Sequence, residues 1–330
     1  MTAFAQAQPN IALVKYWGKR DTTLNLPAAG SLSITLDALW TRTRITFDAS
    51  LENDSLELNG RQDTRTLPKV SACLDILRQL AGVTCKAQVQ TRNNFPTAAG
   101  LASSASGFAA LVMAASTALN ISPDRRFLST VARQGSGSAA RSLYGGFVLM
   151  HTGMQDDGSD AFAEPLLEAN QWPLEVVVAI TTHEQKSVGS GAGMERSRQT
   201  SPFHSSWISS VDADLAEATQ AINMRDFEAL ADISEHSCLK MHADMLASRP
   251  PLMYWTAATV ACIALIRDLR ERDGLGVFFT VDAGPQVKAV CLPQDAAQVA
   301  TALATVPGVI DVVRSGLGEG ASILAPEKAQ

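Results

Sequence analysis

Apolar and polar positions change rhythm along the chain. In the first third they alternate or cluster on β-branched residues. Segments 31–39 (SLSITLDAL), 41–49 (TRTRITFDA) and 85–93 (CKAQVQTRN) read as strands, and 54–60 (DSLELNG) reads as a strand running into a turn. Segment 67–81 (LPKVSACLDILRQLA) sets Val70, Leu74, Leu77 and Leu80 at helical spacing. A small-residue stretch then leads into an apolar helix ending near Leu119. Ser122 before Pro123 and Asp124 signals another helix start. SLYGGFVLM (142–150) and EVVVAIT (175–181) return to strand character.

From about residue 185 helical periodicity dominates. Segment 206–248 is amphipathic over most of its length, and 250–274 is a helix bounded by Pro250 and Pro251 before it and Gly274 after it. Strands GVFFTV and VKAVCL flank the turn DAGP, a helix covers DAAQVATALATV, and a last strand lies near VIDVVRSG. Strands and helices are grouped, not strictly alternating, which predicts an α+β fold.

Composition narrows the class. The chain has 330 residues, 46% of them hydrophobic, enough for one large or two closely joined domains. A net charge of −6 argues against a nucleic-acid partner. The most apolar window, 97–119, is interrupted by Gly100, Gly107 and several Ser and Thr residues, so no membrane span is expected. MTAFAQAQPN lacks the features of a signal peptide. Cys73, Cys85, Cys238, Cys262 and Cys291 form no CxxC, which predicts free thiols in a reducing cytoplasm. The five histidines make no HExxH or Cys/His cluster, and GSGSA lacks the second glycine of a nucleophile elbow.

The chemistry is concentrated in five blocks. Pro96 to Ala105 (PTAAGLASSA) joins a strand to a helix. Its glycine and alanines allow close approach to helix-start amides, and Ser103, Ser104 and Ser106 add hydroxyls, which suits phosphate capture. It is neither a Walker A loop nor GxGxxG. Asn10 to Arg20 (NIALVKYWGKR) packs cations, a phenol and an amide beside an apolar strand. Arg133 to Gly146 combines GSGS with Arg141, a planar fork that suits a carboxylate. Lys186 to Met194 (KSVGSGAGM) is a further Gly/Ser block, and Asp282 ends an apolar strand at DAGP. Taken singly, these also fit a tightly packed helix, a solvated basic strand edge, a Gly/Ser loop with a surface arginine, or an aspartate opening a β-turn.

The pattern P-x-x-x-G-L-x-S-S-A resembles the phosphate loop of the GHMP kinases. The flanks Asn93-Asn94-Phe95 and Ser106-Gly107-Phe108, with the other four blocks in order over about 7–292, resemble the diphosphomevalonate decarboxylase branch of that superfamily. The resemblance implies a two-lobed GHMP architecture. An N-terminal lobe (1–184, ribosomal S5 domain 2-like) would carry the phosphate loop, and a C-terminal lobe (185–330, ferredoxin-like) would carry Asp282. It implies ATP-dependent decarboxylation of mevalonate 5-diphosphate to isopentenyl diphosphate, with Mg²⁺, in a cytoplasmic homodimer. Asp282, Lys15 and Arg141 are the implied catalytic residues. Asn10, Tyr16, Trp17, Lys19, Ser136, Ser138 and Ser190 would bind the substrate, and Ala99, Gly100, Leu101, Ala102, Ser103, Ser104 and Ser106 the ATP phosphates. No side-chain ligand for Mg²⁺ is implied. Where some bacterial members carry arginine after the serine of the fourth block, this chain has Gly191. A decarboxylase for mevalonate 5-phosphate giving isopentenyl phosphate, or a GHMP kinase that does not decarboxylate, would use much of the same machinery.

Overall fold

The computed structural model describes residues 1–95, 103–184 and 186–325. The expected phosphate contacts at Ala99, Gly100, Leu101 and Ala102 lie outside the described residues.

The helices are α1 (Leu67–Ala81), α2 (Ser103–Ala118), α3 (Arg125–Gly135), α4 (Ser190–Thr200), α5 (His204–Met224), α6 (Phe227–Leu246), α7 (Ala257–Glu271) and α8 (Ala296–Ala304). In the first half, strand Thr41–Asp48 turns Thr41, Thr43, Ile45 and Phe47 inward and Arg42, Arg44, Thr46 and Asp48 outward, the period-2 pattern read from its sequence. It pairs antiparallel with Thr2–Ala7 and Lys86–Asn93 in a six-stranded sheet. Ala3, Ala5 and Ala7 are the inward residues of the first strand, and these small side chains let α2 approach closely. Most of α2 is buried, which explains why its sequence is apolar all round.

A second, four-stranded antiparallel sheet orders Ala163–Leu167, Phe147–Met150, Ser31–Thr35 and Asn10–Val14. In the second half a third sheet orders Val277–Val281, Val287–Cys291, Glu175–Ile180 and Asp311–Gly316, all antiparallel. One of its faces packs on α7 and α8 through Val177, Phe279, Val281, Ala289, Cys262, Ile266 and Leu303. The other face shares one apolar cluster with the first half, in which Val176, Val178, Phe278 and Val290 join Ile11, Leu13, Leu32 and Ile34. The strand Glu175–Ile180 precedes the expected 184/185 division yet hydrogen-bonds inside this C-terminal sheet.

Several local expectations change. The amphipathic run 206–248 is two helices, because Arg225 adopts a left-handed conformation (φ 55°) and the Asp226 carboxylate caps α6 by accepting from Ala229 N. Asp124, not Ser122, caps α3. Helix α7 begins at Ala257 behind a Thr256 capping box, later than Pro251 suggests. The Gly/Ser block at 186–194 becomes helical from Ser190. Among the described residues no helix is long and apolar enough to cross a membrane.

Candidate active site

The strand Asn10–Val14 carries the first block into the centre of the molecule. It is held from the C-terminal side, where the Thr280 hydroxyl donates to Ala12 O (3.3 Å), and the Lys15 backbone N–H donates to Ser237 Oγ of α6 (3.0 Å). These two ties set Lys15 against the end of strand Val277–Val281. Its Nζ donates to Asp282 Oδ1 at 2.7 Å, across 267 residues of sequence.

A cleft of about 540 Å³ opens at this point. It is lined by Asn10, Lys15, Tyr16, Trp17 and Lys19 from the first block, Ser103 and Ser104 from α2, Ser136 and Ser138, Arg141, Lys186 and Ser190, and Asp282. Arg65, Thr66 and Lys69, at the start of α1, complete the rim. Six cationic side chains and a single carboxylate therefore line it among the described residues. Such a surplus of positive charge is a site for polyanions.

Arg141 is fully buried and rigidly held. Its Nε donates to Ser33 Oγ (3.0 Å), Nη1 to Ser31 Oγ, and Nη2 to Asn10 Oδ1 (3.1 Å). Asn10 is in turn fixed by donating to Ser138 O (2.9 Å) and Ser142 Oγ (2.8 Å). A guanidinium has five donors, so two remain to meet a ligand. Burial lowers the Arg141 pKa to about 10, and it stays charged at neutral pH. The Tyr16 ring lies beneath it, with Arg141 Cζ 6.0 Å from the ring centroid. Tyr16 Oη is buried with no hydrogen-bond partner among the described residues, and burial pushes its pKa up to about 12. The phenol is thus a neutral donor at neutral pH. Gly137 is required beside it, since a Cβ there would collide with the Tyr16 ring.

Hydroxyls of Ser104 and Ser136 meet at 3.0 Å, and those of Ser136 and Ser138 at 3.4 Å, joining the start of α2 to the third block. Lys19 is half-buried. Burial first, and then Lys69 nearby, lower its pKa. Gly191 lies against it, for a Cβ there would stand 3.7 Å from Lys19 Nζ, at ordinary van der Waals contact.

Asp282 is about a quarter exposed (24%) and touches two ammonium groups, Lys15 on Oδ1 at 2.7 Å and Lys288 on Oδ2 at 3.1 Å. Burial alone would raise its carboxyl, but the two cations overcome this and hold it well below the usual carboxylate range. Lys186 donates to Ser190 Oγ (2.7 Å) and Ala283 O (2.8 Å), and burial lowers its pKa to about 8.

Two expected site residues serve other ends. Trp17 lines the cleft, but its indole N–H donates to Ser197 Oγ (3.0 Å) and its carbonyl accepts from the Trp207 indole (2.6 Å), so its polar atoms anchor α4 and α5. Ser106 is fully buried, bonded to Thr41 Oγ1 at 2.6 Å, and does not reach the cleft. It lies one helical turn further along α2 than Ser103, away from the cleft, where Thr41 of the first sheet takes up its hydroxyl.

Lys288, Lys186 and the Arg65–Lys69 rim were not singled out from the sequence. Lys288 did leave a signal there, a lysine inside the apolar strand VKAVC. The rim left none, since a helix start at 67 reads alike whether or not it faces a cleft. The histidines are structural or solvated, as expected: His204 meets Asp244 at 2.9 Å, and burial drops the pKa of His242 to about 4.

A family model described as the diphosphomevalonate decarboxylase-like N-terminal domain matches residues 7–163, and one described as the mevalonate 5-diphosphate decarboxylase C-terminal domain matches 176–315. The diphosphomevalonate decarboxylase of Homo sapiens is 39% identical over 316 residues, 90% of this chain and 78% of its own length. That of Aspergillus fumigatus is 38% identical over 325 residues, 93% and 80%. The solved mevalonate diphosphate decarboxylase from Staphylococcus aureus is similar with a TM-score of 0.91 at 39% identity, covering 98% of each chain. A structure of MDDEF in complex with MVAPP, AMPPCP and magnesium is similar with a TM-score of 0.89 at 39% identity, covering 98% of this chain and 99% of that one.

Proposed function

The chain belongs to the diphosphomevalonate decarboxylase family, and from that premise we propose that its cleft sets the carboxylate of mevalonate 5-diphosphate on Arg141 and the C3 hydroxyl between Asp282 and the terminal phosphate of ATP. The protein catalyses ATP-dependent decarboxylation of mevalonate 5-diphosphate to isopentenyl diphosphate, releasing ADP, phosphate and CO2. The observation that carries the assignment of roles is the Lys15–Asp282 pair standing in one cleft with Arg141.

The C3 hydroxyl is tertiary and a poor leaving group. Its oxygen attacks the terminal phosphorus of ATP, and ADP departs. Asp282 orients the hydroxyl and accepts its proton only as the O–P bond forms, because a carboxylate held so far below its usual pKa is a weak base. Lys15 stabilises charge on the transferring phosphoryl group. The original C3–O bond then breaks, and inorganic phosphate leaves with its electron pair. The bond between C2 and the carboxyl carbon breaks next, its pair becomes the C2–C3 double bond, and CO2 departs. Arg141, braced by Ser31, Ser33 and Asn10, holds the carboxylate in line for this step. Tyr16, Lys19, Ser136, Ser138 and Ser190 take the diphosphate, with Tyr16 Oη as its neutral donor. Ser103 and Ser104 take the ATP phosphates, and the Arg65–Lys69 rim adds charge there.

Magnesium fits this donor set only through phosphate. The cleft's one carboxylate is already clamped by two lysines, and no group of three metal-binding side chains occurs among the described residues. Serine hydroxyls, water and phosphate oxygens are what the site offers a hard cation that keeps much of its hydration. When bound, the ion neutralises phosphate charge.

The two lobes share a core, and their crossover is better drawn between 168 and 175 than at 184/185, because the strand Glu175–Ile180 pairs in the C-terminal sheet. A cytoplasmic homodimer is the expected working form, and the five free thiols support a reducing compartment. Sedimentation velocity tests the dimer. The reaction is tested by supplying ATP and Mg²⁺ with mevalonate, its 5-phosphate or its 5-diphosphate, and counting ADP and CO2. One CO2 per ADP with the diphosphate alone is expected; ADP without CO2 would overturn the reading.

A further inference from the structure

Lys288 has no part in the mechanism above, yet it is the more deeply buried of the two cations on Asp282. It is the second residue of the strand Val287–Cys291 and has no solvent exposure. The strand lies between its neighbours Val277–Val281 and Glu175–Ile180, with Lys288 opposite Thr280 on one side and Val178 on the other. Val287, Ala289 and Cys291 point to the α7–α8 core, so alternation turns Lys288 to the opposite face. That is the face of Thr280, whose hydroxyl reaches Ala12, and of Asp282 itself.

An ammonium in such a place is costly, and an apolar residue would pack there without penalty. Lys15 alone would neutralise Asp282. Two cations on one carboxylate leave a surplus positive charge at the base of the cleft, unfavourable until an anion arrives. The two differ in reach. Lys15 lines the cleft, whereas Lys288 lies behind Asp282 and does not. They also hold different oxygens, Oδ1 and Oδ2.

We propose that Lys288 is a positioning residue of the reaction: it holds Asp282 through Oδ2, so that Lys15 can leave Oδ1 for the transferring phosphoryl group without stranding the carboxylate. The inference rests on the function given above. Without Lys288, the move of Lys15 would leave Asp282 as a partly buried anion with no partner, and the carboxyl would take up a proton or keep Lys15 from the phosphate. The other charged and titratable groups around Asp282 do not replace it. Lys186 is bonded to Ser190 and Ala283, and Arg141 to Ser31, Ser33 and Asn10. His242 is neutral, and burial raises the Cys238 thiol. The low carboxyl pKa of Asp282 is the electrostatic trace of the double clamp.

The test compares wild type with Lys288→Met, which keeps length and packing, and Lys288→Gln, which keeps a donor but no charge. For each, kcat and both KM values are followed from acid to neutral pH, with ADP and CO2 counted separately and folding checked by thermal melting. Both variants are expected to lose about tenfold or more in kcat while both KM values stay within about threefold, since the interaction lost acts in the transition state. The sign of the pH effect is fixed. Asp282 is active as the anion, and losing one cation raises its carboxyl, so activity fails as pH falls through a higher value. The acid limb of kcat should move up by about one pH unit or more. A folded variant of either kind with wild-type kcat and an unmoved acid limb would overturn the proposal. A lower melting temperature with an unchanged profile would do the same, for it would leave Lys288 a packing role only. If wild type made ADP without CO2, the decarboxylase reading would fall, and Lys288 would still be judged on ADP formation.

Discussion

Replacing Asp282 by asparagine removes one negative charge and almost no volume. It leaves Lys15 and Lys288, 1% and 0% exposed, facing a neutral amide. Breaking a buried ion pair by deleting one partner costs about 3–5 kcal/mol, and here one lysine can shed its proton to limit the loss, so the lower end applies. At about 2 °C per kcal/mol, the low end for large domains, the free protein should melt roughly 6 °C below wild type at neutral pH. The deficit depends on pH in a known direction. In the variant Lys288, whose pKa burial already lowers, has lost its carboxylate partner, so its folded pKa lies below its unfolded value and the folded state binds fewer protons. Stability then rises with pH toward the unfolded lysine value of about 10.4, and the gap from wild type narrows. The wild-type carboxylate adds stability above its unfolded pKa and loses it as pH falls through its own depressed value. ATP brings phosphate anions to Lys15, which lines the cleft, so nucleotide should restore more melting temperature in the variant than in wild type. Turnover should fall by about 10² or more, while ATP should bind no more weakly than to wild type. Thermal melts with and without nucleotide, alongside ADP and CO2 release, measure each quantity. Unchanged melting together with normal turnover would remove Asp282 from both the electrostatics and the mechanism.

Three further outcomes are expected. Arg141→Lys should lose about 10²-fold or more in kcat/KM for decarboxylation, because a point charge cannot bridge Ser31, Ser33, Asn10 and a carboxylate at once; steady-state kinetics near wild type would refute this. Ser106→Ala should cost about 1 kcal/mol of stability through its bond to Thr41 and leave the KM for ATP unchanged, whereas Ser104→Ala should raise that KM; denaturant melts and kinetics separate the two. Lys186, bonded to Ser190, should lose its proton above about pH 8, so the KM for mevalonate 5-diphosphate should rise with pH in wild type but stay flat in Lys186→Met, as pH-dependent kinetics would reveal.

Local pattern sufficed for much of the architecture. The alternation in TRTRITFD set both the strand and its buried face, and the spacing of Val70, Leu74 and Leu77 set α1 and its core side. These signals are local because burial on one face demands a period matching the backbone. Boundaries were less legible where they depended on caps. Arg225 in a left-handed turn carries no sequence mark that a periodic run must break there.

The same division holds at the site. The sequence by itself determined the residue types: small residues before α2, Arg141 on its Gly/Ser turn, lysines beside an apolar strand, and Asp282 at a strand end. Each is chemistry that neighbouring residues announce. Only the tertiary structure decided which of them meet. It spent Trp17 on Ser197 and Trp207 and Ser106 on Thr41 of the sheet. It also brought the rim of α1 to a cleft that its own sequence does not mention. Lys15 and Asp282 became partners through Thr280 and Ser237, and Lys288 joined them because strand alternation faces it toward the first half of the chain. A contact across 267 residues is fixed by sheet register and lobe packing, and neither is written in the local order of side chains.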